Sequence, residues 1–284
     1  MITSANDLGF GPDAEMRDRT QMQFLAVLVR QGASRFILKG GMAMRALYGS
    51  TRLTKDVDFD CEDNVSQQSM QAHMPKALTQ AARTAGLRGI EVKQTKKADR
   101  SNRWRIRGAT SDGVAIAWEV EVSRRGTPPA QFIETRSFEV PASYRIPNFS
   151  IRVYGPAAMV GGKVNALMSD HRSVPRDVYD LWELIRFRAD PTALWIGFLP
   201  REVLEHKRPL IMSKIESIDF ALANSELLPY LAPDVRARID ETRWDELRLQ
   251  VAEQLERWMS EAILKARTSK ELDRDPDDAD FAGR

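Results

Sequence analysis

The sequence has little cysteine, little histidine and no long hydrophobic run. Cys61 is the single cysteine, so no intramolecular disulfide can form, and we expect a reducing compartment. The three histidines lack the spacing of metal ligands. No apolar run approaches the roughly 18 residues that span a bilayer, and the N-terminal segment lacks the basic start and apolar core of a signal peptide. These absences predict a cytoplasmic protein that does not contact a membrane.

A large excess of either charge is also missing. The 42 basic and 40 acidic residues leave a net charge of +2, so any attraction to nucleic acid must come from local clusters. Hydrophobic residues make up 43% and charged residues 29%, which is typical of a folded chain. The 284 residues suffice for one large domain or two ordinary ones. Residues 269–284 are acidic and contain proline, and we expect them to be disordered.

Hydrophobic periodicity divides the chain into a mixed first half and a helical second half. The first half predicts a helix at 16–31, a strand at 36–38, a short helix ending at Gly49, a strand at 55–61, a helix at 66–85 kinked or divided by Pro75, and two strands around a turn at 111–113. Residues 126–156 contain five prolines and indicate extended strands and loops. The second half predicts helices at 157–169, 176–188, 211–224 and 242–267. We therefore predict an α+β fold, with a mixed β-sheet flanked by helices at 1–155 and a helical bundle at 156–268.

A glycine pair follows the first predicted strand. Gly40 and Gly41 stand between an apolar strand and a helix. Glycine lets the backbone approach a ligand, and a helix N-terminus offers free N–H groups and a partial positive charge, which suits a phosphate. Such a pair is more often structural, so the pattern alone leaves both interpretations open.

Aspartates alternate with apolar residues in the next predicted strand. Asp56, Asp58 and Asp60 share one face of KDVDFDC, and the apolar residues share the other. Side chains at positions i and i+2 lie about 7 Å apart, so two carboxylates can hold a divalent ion between them. A solvated strand face is the alternative, but aspartate is a poor strand former, so the alternation needs a reason.

The segment LKGGMAMRALYGSTRLTKDVDFD resembles the first motif of the DNA polymerase beta-like nucleotidyltransferase superfamily. It is similar in particular to the AbiEii/AbiGii toxin family, which includes the MenT-like toxins and reads approximately KGGTALRLLYG-x-x-R-[FL]-[ST]-x-D-[LV]-D-F. The matching positions are Lys39, Gly40, Gly41, Ala43, Arg45, Leu47, Tyr48, Gly49, Arg52, Thr54, Asp56, Asp58 and Phe59. Met42 stands where the family has Thr or Ser, so a hydroxyl expected near the phosphates is missing, although the backbone N–H can still bind.

This resemblance implies roles for the matched residues. Asp56 and Asp58 would be catalytic ligands of Mg²⁺. The nucleotide would be bound by residues of the turn and of the segment after the helix: Lys39, Gly40, Gly41, Met42, Arg52 and Thr54.

A third carboxylate is offered by the alternating run IAWEVEVS. Glu119 and Glu121 share one face of this predicted strand. The family places its third acid just before the end of such a strand, which matches Glu121 and leaves Glu119 as the second choice. By resemblance, Glu121 joins Asp56 and Asp58 as a catalytic metal ligand for two Mg²⁺ ions, whereas the alternative is an ordinary solvated strand face.

Arginines line the partner strand of the same hairpin. Arg103, Arg105 and Arg107 fall on one face, and Arg124 and Arg125 follow the hairpin. Clustering of this kind in a nearly neutral chain suggests a surface that binds RNA, because each phosphate contact adds affinity. Alternatively, the arginines pair across the strands with the two glutamates.

The segment KVNALMSDHRSVPRDVYDLWELI resembles the later motifs of the family, K-x-x-A-L and [P]RD-x-x-DL. The helical period predicts an apolar stripe formed by Val178, Leu181, Trp182 and Ile185. It directs Arg176, Asp180 and Glu183 away from that stripe. It also leaves Asp177 on the flank of the stripe.

Lys163 flanks the apolar stripe of the preceding helix, as Asp177 does on its own helix. We expect both to point into a cleft against the first domain. Lys163 and Arg176 would bind phosphates there, and Asp177 would orient Lys163 or the attacking group. The alternative is a salt bridge between Lys163 and Asp177 that holds the two domains together.

The family resemblance implies a metal-dependent nucleotidyltransferase that is the toxin of a toxin–antitoxin pair. It would transfer NMP from an NTP to an RNA acceptor, the 3′ end of tRNA, and release pyrophosphate. Glu121 or Asp177 would accept the proton of the acceptor hydroxyl, and a cognate antitoxin protein would be a partner. Two alternatives stay open: a nucleotidyltransferase acting on a small molecule, and a catalytically weak binding or regulatory partner, to which Met42 gives some weight.

Overall fold

The computed structural model describes residues 2–32, 35–62, 65–168, 174–268 and 271. The chain divides into two compact units, Met1–Tyr154 and Gly155–Arg284. The segment predicted to be disordered, 269–284, lies outside the described residues except for residue 271. Within the described residues, no helix is long and apolar enough to cross a membrane.

The N-terminal unit is built on a seven-stranded mixed sheet with the order β3-β4-β5-β2-β1-β7-β6. Its strands are β1 (Phe36–Lys39), β2 (Asp56–Cys61), β3 (Arg88–Ala98), β4 (Ser101–Ala109), β5 (Ala115–Ser123), β6 (Ile133–Phe138) and β7 (Phe149–Tyr154). The pairs β2–β5 and β1–β7 are parallel, and the other pairs are antiparallel. The aspartate strand therefore lies near the middle of the sheet, between β1 and β5.

The described part of this unit contains the α-helices α1 (Pro12–Arg30), α2 (Gly40–Leu47) and α3 (Gln67–Thr84). The apolar residues of β2 and β5 alternate with the charged ones and are buried on one side of the sheet. Phe24 of α1 packs there, with its ring centroid 6.3 Å from that of Phe59 and 5.6 Å from that of Trp118. The opposite face is thereby left to the charged residues.

The strand prediction was incomplete in the N-terminal unit. The turn at 111–113 does join two antiparallel strands, β4 and β5, and the proline-rich segment 126–156 does contain strands, β6 and β7. Strand β3 was missed, because it is an edge strand whose side chains are mostly exposed and lack an apolar alternation. Helix α3 runs unbroken through Pro75, so that proline does not divide it.

The C-terminal unit is helical. Its helices are α4 (Pro156–Leu167), α5 (Pro175–Arg186), α6 (Thr192–Phe198), α7 (Arg201–Ser217), α8 (Phe220–Glu226), α9 (Pro233–Arg236) and α10 (Glu241–Lys265). Helix α10 packs against α5, α6 and α7. Its Trp244 is fully buried and donates from Nε1 to the carbonyl oxygen of Ile218 over 3.0 Å. The predicted α+β class with a helical second half is confirmed.

One predicted helix of this unit was wrong in its bounds. The structure has no single helix at 211–224 among the described residues, because α7 ends at Ser217 and α8 begins at Phe220. Asp219 caps α8, accepting from the backbone N–H of Leu222 over 2.8 Å. Helix α7 also begins earlier than predicted and passes through Pro209.

Candidate active site

Charged side chains from four neighbouring strands meet on one face of the sheet. Strand register places Asp56 beside Glu119 and Asp58 beside Glu121, across the parallel pair β2–β5. On the other side of β2, Asp58 pairs with Lys39 of β1. Strand β4 then places arginines opposite both glutamates. The face thus has two acidic columns in the centre and a basic residue or column on each side.

The glycine turn lies directly against the aspartate strand. Gly40 has φ +67°, and a Cβ atom there would stand 2.5 Å from Oδ2 of Asp58. A Cβ atom on Gly41 would stand 2.7 Å from Oγ1 of Thr54 and 2.9 Å from Nη2 of Arg52. A side chain at either position would displace Asp58 or Thr54, so the two glycines allow the close approach of the backbone to both residues.

Helix α2 begins at this turn. Its N-cap residue, Lys39, makes no side-chain cap to the first N–H groups. An uncapped helix N-terminus beside glycines is a setting in which proteins bind phosphate. The turn therefore offers backbone donors next to Lys39, whose ammonium is paired with Asp60.

Three of the predicted nucleotide-binding side chains are buried around this turn. Met42 is 0% exposed, so its side chain lies in the core and only its backbone can serve a ligand. Arg52 is 2% exposed and donates from Nη1 to the carbonyl oxygen of Leu53 over 3.1 Å. Thr54 Oγ1 donates to the carbonyl oxygen of Asp56 over 3.1 Å. In this structure the side chains of Arg52 and Thr54 shape the turn rather than extend from it.

Asp56 and Asp58 are half-buried on β2, and Asp58 lies against this turn. Glu121, in register with Asp58, has both carboxylate oxygens occupied: Oε1 accepts from Ser101 Oγ over 2.7 Å, and Oε2 accepts from Arg103. Within the described residues, no group of three or more His, Cys, Asp or Glu side chains is arranged to hold a metal ion. Asp58 and Glu121 are cross-strand neighbours, and ligation of a metal by Glu121 would require Arg103 to give way.

The Arg103–Glu121 pair perturbs the titration of both partners. Burial acts to raise the pKa of Glu121, but hydrogen bonds from Arg103 and Ser101 outweigh it, so the pKa lies below its usual value. The hydrogen bond to Glu121 in turn raises the pKa of Arg103 above its usual value. The pair is therefore fully ionised at neutral pH.

The arginine stripe is largely paired across the strands, as the alternative interpretation predicted. Arg103 pairs with Glu121 and lies 3.6 Å from a carboxylate oxygen of Glu119, and Arg105 pairs with Glu119 at 2.5 Å. Arg107 stands opposite Ala117 of β5. The exposed fractions of the Arg103 and Arg105 side chains are 41% and 44%, so both keep surface for a further ligand.

Basic residues continue toward the edge of the sheet. A cavity of about 150 Å³ on β3 and β4 is lined by Glu91, Lys93, Thr95, Arg105 and Arg107. Arg124 and Arg125 follow β5, and the backbone N–H of Arg124 donates to the carbonyl oxygen of Arg100 over 2.9 Å. Arg125 is exposed. Lys93 of β3 lies beside Arg105 and Arg107 of β4.

Sequence reasoning missed the role of the third aspartate of β2. Asp60 is 3% exposed, and its carboxylate accepts from Lys39 Nζ over 2.7 Å and from the hydroxyl of Tyr154. The alternation of β2 signalled that Asp60 shares a face with Asp56 and Asp58. The partner Tyr154 carried no signal, because it lies about a hundred residues away on β7.

The second predicted motif forms an ion cluster inside the C-terminal unit. Lys163 Nζ of α4 lies 2.9 Å from Asp177 Oδ1 and 2.5 Å from Asp180 Oδ2, both on α5. The inward positions predicted for Lys163 and Asp177 are seen, since both are buried. The prediction that Asp180 faces away was wrong, because it is 0% exposed.

The salt bridge between Lys163 and Asp177 lies within the C-terminal unit, because α4 and α5 both belong to it. Arg176, predicted to bind phosphate, has its guanidinium carbon 5.8 Å from the ring centroid of Tyr230, also in that unit. The cleft between the two domains stays a prediction.

The nucleotidyltransferase class of fold has a strand, a glycine turn, a helix and an aspartate strand on a mixed sheet. This chain has that order of elements and continues with helices. Comparison with protein families agrees: the chain matches the model described as "Nucleotidyl transferase AbiEii toxin, Type IV TA system" over residues 23–274. The chain therefore belongs to the AbiEii family of nucleotidyltransferase toxins.

Two solved structures share the fold at low sequence identity, and a third is similar at a lower score. A candidate nucleotidyltransferase from H. pylori has a TM-score of 0.56 and 17% identity, covering 88% of this chain and 98% of its own. JHP933 from Helicobacter pylori has a TM-score of 0.55 and 17% identity, with 88% and 95% covered. The toxin MenT4 from Mycobacterium tuberculosis has a TM-score of 0.49 and 17% identity, with 90% and 94% covered. No curated protein matches the sequence.

Proposed function

We propose that this protein is a Mg²⁺-dependent nucleotidyltransferase that moves an NMP group from an NTP to an RNA acceptor, the 3′ end of tRNA, and releases pyrophosphate. The observation that carries the proposal is the contact between the glycine turn and Asp58, where a Cβ atom on Gly40 would lie 2.5 Å from Oδ2. The contact supports the proposal because it brings a backbone turn that would bind phosphate close to a carboxylate that would bind a metal ion.

The donor set at this place suits magnesium. Mg²⁺ prefers oxygen ligands and is usually held by one or two carboxylates together with substrate phosphates. Asp56 and Asp58 supply two such carboxylates, and we propose two ions, with Glu121 as a ligand of the second when Arg103 gives way. When bound, the ions would stabilise charge on the attacking and leaving oxygens.

Residues around the carboxylates would bind and orient the nucleotide. Lys39 and the backbone N–H groups from Gly40 to Met42 would bind its phosphates. Lys163 and Arg176 would add positive charge, as the family motif implies. Glu121 or Asp177 would accept the proton of the acceptor hydroxyl.

The acceptor is proposed from the basic stripe of β3 and β4. Arg103 and Arg105 retain exposed surface despite their ion pairs, and Arg107, Arg124 and Arg125 extend the basic area. A polyanion would gain affinity from each contact with these residues. Membership of a type IV toxin–antitoxin family also supports a cognate antitoxin protein as partner.

A small-molecule acceptor is the second candidate. It is favoured by the pairing of Arg103 and Arg105 with Glu121 and Glu119, because those pairs reduce the net positive charge offered to RNA. A small acceptor would use the same aspartates. A binding partner without activity is the third candidate, favoured by the buried side chain of Met42.

The three candidates are separated by one incubation. The protein is mixed with Mg²⁺, each labelled NTP in turn, total tRNA and a pool of small hydroxylated acceptors. We expect label in tRNA. Label only on small acceptors would select the second candidate, and absence of transfer would select the third.

A further inference from the structure

Asp60 is a buried carboxylate that neither the proposed metal site nor the proposed transfer uses. It is 3% exposed, whereas Asp56 and Asp58 on the same face of β2 are half-buried. A buried carboxylate costs several kcal/mol unless it is paired and hydrogen-bonded. The hydrogen-bond donors around Asp60 therefore have to offset the cost of burying its charge.

Two donors meet this carboxylate, one on each oxygen. Lys39 Nζ donates to Oδ1 over 2.7 Å, and the hydroxyl of Tyr154 donates to Oδ2. Burial and the charge of Asp60 raise the pKa of Tyr154, so its hydroxyl remains a donor across the physiological range. The backbone of Tyr154 is itself fixed, since its carbonyl oxygen accepts from the hydroxyl of Tyr48 over 3.1 Å.

Lys39 lies beside the proposed nucleotide site. It is the last residue of β1 and the N-cap of α2, and it pairs in register with Asp58. Its side chain is 28% exposed, and Nζ lies 5.9 Å from the ring centroid of Tyr154. An ammonium group has three donors, and Asp60 takes one of them. The remaining donors can serve a ligand.

We propose that Asp60 and Tyr154 are positioning residues that hold the ammonium of Lys39 beside the Gly40 turn, ready for the phosphate chain of the nucleotide. The proposal rests on the proposed function. A lysine side chain is long and flexible, and fixing it in advance removes an entropy cost that binding would otherwise meet. Asp60 orients the ammonium through its own buried position, and Tyr154 orients Asp60.

Electrostatics and positioning predict opposite effects of removing Asp60 on anion binding. Loss of a negative charge near an anion site should tighten anion binding. Loss of a positioning residue should weaken it, because Lys39 is no longer held at the turn. The sign of the change therefore separates the two explanations.

The test is calorimetric titration of the full-length protein with tripolyphosphate, which has no base and so avoids the question of nucleotide preference. We expect Lys39→Met and Asp60→Leu each to weaken binding about tenfold, and Tyr154→Phe about threefold. Glu62→Gln is the matched control, because it removes a carboxylate just after β2 that pairs with Arg152 instead. We expect its affinity to equal that of wild type.

The outcomes are distinct. Weaker binding by Asp60→Leu and Tyr154→Phe, with a raised KM for the NTP and little change in kcat, supports the positioning role. If Asp60→Leu and Tyr154→Phe bind tripolyphosphate as tightly as wild type or more tightly, while Lys39→Met binds it weakly, the inference is overturned and the proposed function stands. If wild type does not bind tripolyphosphate, both proposals are overturned. Should Asp60→Leu fail to fold, the nearly isosteric Tyr154→Phe decides alone.

Discussion

Replacing Lys163 with methionine should destabilise the protein by about 3–5 kcal/mol, the cost of breaking a buried ion pair by removing one partner. The ammonium lies 2.9 Å from a carboxylate oxygen of Asp177 and 2.5 Å from one of Asp180, and the three side chains are 10%, 1% and 0% exposed. Methionine keeps an apolar stem of similar length, so the change removes mainly the charge. Two buried carboxylates, one helical turn apart, would then repel each other without a cation.

The assay is urea denaturation, with the free energy of unfolding compared between variants. Lys265→Met is the matched control, because Lys265 pairs with Glu261 at 2.6 Å while both side chains are exposed. We expect that control to lose about 0.5 kcal/mol or less. Asp180→Asn added to Lys163→Met should restore part of the loss by removing one buried charge. A loss for Lys163→Met no larger than that of the control would refute the reasoning.

Three further predictions concern the sheet. Gly40→Ala should reduce nucleotidyl transfer at least about tenfold, because its Cβ would collide with Asp58; Gly113→Ala, with φ +87° and open space, controls for backbone strain alone. For tRNA binding, Arg105→Ala should lower the slope of log affinity against log salt by about one, and an unchanged slope would count against RNA contact there. The lowered pKa of Glu121 means that its pairing stabilises the fold above the unfolded pKa of about 4.3 and is lost as pH falls through the folded pKa. Glu121→Gln should therefore flatten the acid limb of urea midpoints measured against pH, and an unchanged limb would contradict this.

The helical motif shows how far a sequence pattern can be read. The period of α5 was sufficient to place Asp177 inward, and the structure confirms its burial. The same period was misapplied to Asp180. Residues three apart lie on the same side of a helix, so a lysine that reaches Asp177 also reaches Asp180. The predicted apolar stripe was centred too far round the helix from Asp177. Leu184, next to Asp177 on the helix surface, is buried, while Trp182 and Ile185 are only half-buried.

The carboxylate face shows what a sequence pattern leaves open. The alternation of charged and apolar residues placed Asp56 and Asp58 on one face of β2 and Glu121 on one face of β5. It could not show which carboxylate oxygens accept hydrogen bonds, because that depends on the neighbouring strand. In the structure, Arg103 and Ser101 of β4 donate to the two oxygens of Glu121. The cross-strand alternative was stated from the sequence, but choosing it required the register of β4 and β5.

Distant pairing was beyond the sequence for a physical reason. Asp60 depends on Tyr154, and the parallel pairing of β1 with β7 brings that strand beside Lys39. Parallel neighbours are joined by long connections, so local periodicity does not reveal which strands meet. Edge strand β3 was missed because an edge strand can be polar on both faces.

The central claim, metal-dependent nucleotidyl transfer at Asp56 and Asp58, is tested most directly by pyrophosphate release. Wild type and Asp58→Asn are incubated with Mg²⁺, NTPs and total tRNA, and pyrophosphate is measured beside labelled tRNA. We expect equal amounts of both products from wild type, none when the metal is chelated, and at least about a hundredfold less from Asp58→Asn. Equal transfer by Asp58→Asn, or undiminished transfer in the presence of chelator, would contradict the claim.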